Sequence, residues 1–198
     1  MGKEDLKNRE IWQDLSGGKA ETAEKNFYTV LSKEFEGSNF RIRSKPREFT
    51  DIYAKIKLSP EILAKIYCPE ETWKHGVIPD YAIDNTRNAK TLYVEVKRQD
   101  GWVENKMRSA GRGNAHERSN KFFTPGLLKI LREKGKLGDE VLPFWVVFQG
   151  DIARDPKRVR EIHCWYEEFK DHFFLWSDST DERALVNHFN KKLKHLLE

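Results

Sequence analysis

Two carboxylates and a lysine stand close together near the middle of the chain. The stretch reads Pro79-Asp80, a turn-rich insert, then Thr91-Leu92-Tyr93-Val94-Glu95-Val96-Lys97. Leu92, Val94 and Val96 alternate with Tyr93, Glu95 and Lys97, the period-two pattern of a strand with one face in an apolar core. Glu95 and Lys97 therefore leave it on the same side. Asp84-Asn85-Thr86-Arg87-Asn88 is rich in turn formers and predicts a hairpin whose first strand sets Asp80 beside the second. Two acids on neighbouring backbones make an oxygen-rich seat for a hard divalent cation, and Mg²⁺ needs only one or two of them because it keeps several waters. A lysine beside them can position or help deprotonate the attacking water, while the cation stabilises charge growing on a phosphate. That combination suits phosphodiester hydrolysis. Read alone, a strand ending in Glu-x-Lys equally describes a solvated ion pair of little energetic weight.

The surrounding elements must hold this trio in place. A helix from a Ser16 cap to about Glu36 carries Ala20, Ala23, Phe27, Val30, Leu31 and Phe35 on one stripe. Its Glu21, Glu24 and Glu36 could bring a further carboxylate to the cation, although a solvated helix face is the simpler reading. Arg41, Arg43, Lys45 and Arg47 likewise read more readily as a solvated basic face than as phosphate contacts. Ser59-Pro60-Glu61 opens a short helix ending near Cys68-Pro69. Thr124-Pro125 opens another, to Gly135–Gly138. Val141–Phe148 is nearly continuous apolar, a strand buried on both faces with Pro143 at its start. Asp155-Pro156 starts a helix to about Phe169, Phe173–Trp176 forms a strand, and Ser179-x-x-Glu182 is a capping box for a last helix bearing Leu185, Phe189, Leu193 and Leu196. The order predicts an α/β fold, a mixed central β-sheet flanked by helices on both faces.

A second stretch is harder to explain by packing. In Ser109-Ala110-Gly111-Arg112-Gly113-Asn114-Ala115-His116-Glu117-Arg118-Ser119-Asn120-Lys121, two glycines bracket Arg112 and allow a close backbone approach, and Asn114 can cap a helix starting at Ala115. The first large apolar anchors are Phe122 and Phe123. Amide and guanidinium groups at a helix start are the types that read adenine and guanine edges, and the terminus itself suits phosphate. A polar loop with no ligand is the competing reading.

The formal net charge of 198 residues is only +4. Its distribution is more telling, since residues 97–132 hold nine Lys or Arg against three acids, a surplus of six beside the proposed site. Cys68 and Cys164 have no zinc spacing and read as buried thiols. No run reaches the length of a membrane span and no signal sequence opens the chain, so one domain over residues 1–198, soluble and cytoplasmic, is expected.

Taken in order, Pro79-Asp80…Glu95-Val96-Lys97 and then Gly111-Arg112-Gly113-Asn114-Ala115-His116-Glu117-Arg118-Ser119 resemble the type II restriction endonucleases of the EcoRI/MunI group in the PD-(D/E)XK superfamily, where Gly-Asn-Ala-x-Glu-Arg opens the recognition helix. The likeness is strongest to the MunI branch and extends from about Gly76 to Glu161, including Lys97–Glu104, Phe123–Lys129, Leu142–Phe148 and Arg154–Glu161. It implies a restriction-endonuclease-like homodimer that cuts double-stranded DNA with Mg²⁺ at the palindrome CAATTG, after the first base of each strand, leaving 5′ AATT overhangs. By the same resemblance Asp80 and Glu95 hold the metal and Lys97 orients the water. Within a recognition segment of about 109–123, Asn114, Ala115, Glu117 and Arg118 serve the inner AATT, Glu117 more as scaffold than as reader. Gly113 and Lys121 complete the DNA-contacting set. Arg112 stands where the EcoRI pattern has a small residue, and a guanidinium there can grip the guanine of an outer C:G pair. His116 fills the variable position and receives no role. Asp84 is the rival for the second carboxylate, disfavoured because Asp80 follows Pro and the turn accounts for Asp84. The competing classes are a DNA-binding module without catalysis and a repair or recombination nuclease of the same fold.

Overall fold

The computed structural model describes residues 22–70, 75–100 and 116–198. Five strands form one sheet in the spatial order of the sequence: β1 (Phe40–Ser44), β2 (Tyr81–Asn85), β3 (Thr91–Arg98), β4 (Phe144–Gln149) and β5 (Phe173–Trp176). β1, β2 and β3 pair antiparallel, and β4 and β5 run parallel to β3. A short turn suffices between β2 and β3. The parallel pairs need crossovers, in which helices α3 (Pro125–Gly135) and α4 (Pro156–Tyr166) lie. The sheet is mixed, as the element order predicts.

Each face of the sheet has its own core. On one face, Leu92, Val94 and Val96 of β3 with Trp145 and Val147 of β4 pack on α1 (residues 22–34) through Phe27 and Leu31, and on the C-terminal helical segment. On the other, Tyr93, Phe144, Val146 and Phe148 meet Leu127 and Leu131 of α3, Ile162 and Tyr166 of α4, and Phe122. β3 is thus buried on both faces, where its alternation had predicted one. The prediction fails because Tyr93 is amphipathic and Glu95 is charged, and both still lie inside. β4 is buried throughout and begins directly after Pro143, as expected.

The strand and cap details differ elsewhere. β2 continues through Asp84 and Asn85, and the turn starts only at Thr86. The Ser59-capped helix shortens to one turn, α2 (Pro60–Leu63). After β5 the chain forms α5 (Glu182–His188), a π turn (Phe189–Leu193) and α6 (Lys194–Leu197), and α5 is capped by Asp181, which accepts from the Ala184 N–H at 3.0 Å, rather than by Ser179. Leu185, Phe189, Leu193 and Leu197 are fully buried. A four-residue step overshoots an α-helical turn by about 40°, so the wider π turn keeps these anchors in line with the sheet.

Both cysteines are exposed, contrary to expectation. Cys68 takes a left-handed backbone (φ 44°) at the corner before Pro69, and Cys164 lies off the α4 stripe that buries Ile162 and Tyr166. Among the described residues no helix is long and apolar enough to cross a membrane.

Candidate active site and reading segment

Asp80 immediately precedes β2, one step beyond the Tyr81–Val94 pairing, and Glu95 and Lys97 follow on β3. The period of two puts all three on the sheet face that also carries α3 and α4. The Val96 N–H donates to Asp80 Oδ2 at 2.8 Å and ties this carboxylate to β3. Lys97 Nζ donates to Glu95 Oε1 at 2.5 Å and lies 3.9 Å from Asp80 Oδ2. The hairpin therefore assembles the expected trio.

Glu95 is the uncomfortable member. It is 4% exposed, and its Oε2 is buried with no hydrogen-bond partner among the described residues. Burial pushes its pKa up, and Asp80 adds to this, against the opposing pull of Lys97 and the more distant Lys121. A buried carboxylate oxygen without a donor costs about 1–3 kcal/mol or more. A hard divalent cation seated between Glu95 and Asp80 would satisfy it, so the donor set fits such an ion. Among the described residues no group of three His, Cys, Asp or Glu gathers, and a cation here would draw the rest of its shell from water and substrate.

One further residue reaches Asp80 directly, and a second is linked to it through the first. Lys45, in a left-handed conformation (φ 47°), donates its backbone N–H to the Asp80 carbonyl at 2.9 Å. Its ammonium bridges Asp80 Oδ1 at 2.7 Å and Glu24 Oε2 at 2.8 Å. Tyr81 Oη donates to the Glu24 carbonyl at 2.9 Å and fixes that end of α1 beside the site. Lys45 and Glu24 are thus linked to Asp80, whereas the sequence had favoured a solvated face for both. Residue type alone could not reveal this, because the link depends on the pairing of β1 with β2, which brings Lys45 to Asp80, and on a left-handed backbone at Lys45. Glu36 stays exposed at the end of α1, and Glu21 lies outside the described residues.

Asp84 is not a turn residue and not a member of this cluster. It faces Thr91 in the strand pairing and receives Arg43 Nε at 2.6 Å, Arg43 Nη2 at 3.0 Å, Arg41 Nη2 at 3.2 Å and Thr91 Oγ1 at 2.8 Å. Arg43 also holds Glu48 at 2.7 Å. The solvated basic face expected around β1 is, at Arg43, an ion-pair network.

Of the reading segment, Arg112, Gly113, Asn114 and Ala115 lie outside the described residues, as does the predicted cap at Asn114. From Glu117 to Phe123 the chain is a 3-10 helix rather than the α-helix expected from Ala115. Its period explains its use. Three residues per turn put His116, Ser119 and Phe122 on one buried edge and leave Glu117, Arg118 and Lys121 exposed. These polar side chains are therefore free to meet a ligand, and Lys121 is close enough to act electrostatically on Glu95. A cleft of about 540 Å³ lined in part by Glu140, Glu168, His172 and His195 lies elsewhere, near the N-terminal ends of β4 and β5.

The arrangement matches a known family. A model described as type II restriction enzyme MunI matches residues 1–198. The chain belongs to this MunI family of type II restriction enzymes. Type II restriction enzyme MunI of Mycoplasma sp is 51% identical over 202 residues, covering 100% of both chains. A crystal structure of MunI restriction endonuclease in complex with cognate DNA superposes with a TM-score of 0.80 at 51% identity, covering 94% of this chain and 97% of that one. The fold and the resemblance expected from sequence are thereby borne out, and the chain is a site-specific endonuclease. Type II enzymes work with a divalent metal ion, which agrees with the chemistry of Glu95 and Asp80.

Proposed function

We propose that this chain acts as one catalytic domain in a cytoplasmic homodimer that hydrolyses both strands of a palindromic DNA duplex with Mg²⁺, at C^AATTG, leaving 5′ AATT overhangs. Asp80 and Glu95 hold the cation, which supplies charge stabilisation at the scissile phosphate and lowers the pKa of a water. Lys97 holds and orients the attacking water from its place between the two acids. Asn114, Ala115, Glu117 and Arg118 serve the inner tetrad, with Gly113 and Lys121 against the backbone. Arg112 reads the outer pair through the bidentate geometry a guanidinium offers guanine. A palindrome calls for two copies related by a twofold axis, one active site per strand.

The single observation that carries this reading is the buried Glu95 Oε2, which has no donor among the described residues and stands beside Asp80 and Lys97. The test is digestion of a plasmid of known sequence with Mg²⁺ and with chelator, followed by sequencing of the ends. Discrete, metal-dependent fragments beginning AATT, each preceded by C in the intact plasmid, are expected. Fragments with other ends would remove the assigned site. Cutting that persists in chelator would remove the metal role of Asp80 and Glu95.

A further inference from the structure

His116 sits within the reading segment, between Ala115 and Glu117, yet it faces inward and is 0% exposed. Its ring stacks on the Trp165 indole of α4, with centroids 5.1 Å apart and planes inclined 18°. Its Nε2 meets Glu161 Oε2 at 2.9 Å, and the same oxygen accepts from Arg158 Nη1 at 2.7 Å. Arg158 is itself set by the α4 cap, since its backbone N–H donates to Asp155 Oδ1 at 3.3 Å. The His116 carbonyl accepts from Ser119 Oγ at 2.7 Å, which starts the 3-10 turn. Further along, Phe123 packs edge-on to Tyr166 of α4 at 5.1 Å. One ring is thus held by a stack, an ionic hydrogen bond and a turn at once.

We propose that His116 is a positioning residue for sequence discrimination: docked on Trp165 and Glu161, it sets the register in which its neighbours present their side chains to the bases. This rests on the proposed reading of residues 112–118. The physical reason is the short lever. Glu117 and Arg118 follow His116 directly at the start of the 3-10 helix, so a rotation or slip at this anchor displaces both. A hydrogen bond to a base edge tolerates only a few tenths of an ångström and modest misalignment before it weakens. Glu161, Arg158 and Trp165 project from α4, whose adjoining stripe packs in the sheet core through Ile162 and Tyr166 with Trp165 against it, so the anchor is seated on that core. Glu161 is well suited to its part. Although burial pushes its pKa up, the hydrogen bonds from Arg158 and His116 hold it below the usual carboxylate range, and it stays a charged acceptor.

The test compares the wild type, His116→Ala and His116→Gln on a duplex carrying the enzyme's own site and on duplexes with one inner base pair changed, reading the ratio of cleavage rates alongside melting temperature. His116→Ala should lower that ratio about 10-fold or more, because several base contacts lose alignment together. His116→Gln, which keeps an N–H donor for Glu161 without the stack, should recover part of it. An unchanged ratio in a protein that merely melts earlier overturns the proposal, since a purely structural role moves stability alone. Should His116→Ala fail to fold, Glu161→Gln and Trp165→Phe must lower the same ratio, and an unchanged ratio in both overturns it equally. A wild type that cuts all these duplexes alike removes the reading of the segment itself.

Discussion

The β2–β3 hairpin carries an acid cluster at each end, on the same face of the sheet, and the two clusters are built in opposite ways. At the turn end, Asp84 has four donor contacts from Arg43, Arg41 and Thr91. At the open end, Glu95 has one among the described residues, which leave its second oxygen buried without a donor. The separation is four residues of strand from Asp84 to Asp80, roughly 13 Å. With four contacts Asp84 is part of the scaffold, because a ligand would have to displace two arginines and a hydroxyl, whereas Asp80 would have only to share the Val96 N–H and release the half-exposed Lys45. An unsaturated carboxylate in a preformed site is poised for a ligand, and the cost of holding it is met by the rest of the fold.

The sharpest way to break this contrast is to exchange the two acids for their amides. Glu95→Gln should lower the cleavage rate by about 10²- to 10⁴-fold, the range expected for loss of a group acting on the reacting centre, while site-specific duplex binding persists. Single-turnover cleavage and gel-shift measurements on one duplex decide it, and lost binding would place Glu95 in recognition instead. Asp84→Asn should do the reverse. Removing the charge that Arg43 and Arg41 share should cost roughly 2–4 kcal/mol of stability in urea unfolding. Cleavage by the folded fraction should stay within a few-fold of wild type. A large rate loss at unchanged stability would make Asp84 a member of the active site.

How much of this was legible follows from what each residue depends on. The strand, the side on which Glu95 and Lys97 emerge, and the neighbourhood of Asp80 all depend on local periodicity, which the sequence displays. The burial of Glu95 depends on α3, α4 and the 3-10 helix closing over a face that alternation could not assign. Asp84 was read as a turn former because Asp-Asn favours turns, but tertiary pairing with Arg43, forty-one residues away, outweighs that preference. His116 looked like a variable position within a reading motif. Its burial becomes visible only once a period of three is recognised in His116, Ser119 and Phe122, a repeat too short to stand out beside the polar residues between them. Lys45 was hidden for another reason, since a left-handed backbone at a lysine has no sequence signature.

A smaller effect separates reading from chemistry. Arg112 lies outside the described residues, so its role stands on residue type and on the family pattern. Arg112→Ala should reduce discrimination at the outer base pair by about 1–3 kcal/mol, the worth of a bidentate guanidinium–guanine contact. Rates measured on duplexes varied at that pair should converge, with the inner tetrad still read. Equal weakening on every sequence would assign Arg112 to phosphate instead.

The smallest effect is the pH dependence of stability, and there the two acids should differ in sign. Asp84 has its pKa held down: burial alone would raise it, but the hydrogen bonds from Arg43 and Thr91 prevail. Its unfolded form, with a pKa of about 3.9, then binds more protons than the folded form as the pH drops, so its stabilisation is present above that value and lost as pH falls through the lower folded pKa. Glu95 has its pKa pushed up by burial. Between its unfolded value of about 4.3 and its higher folded value the native state binds more protons, so stability declines as pH rises through that window. Urea unfolding in chelator from pH 3 to 8 should show Asp84→Asn flattening the acid limb. Glu95→Gln should flatten the opposing slope above pH 4 and gain on wild type as pH increases. If Glu95→Gln instead loses ground as pH rises, the Lys97 pairing outweighs burial, and the open end of the hairpin is held as firmly as the closed one.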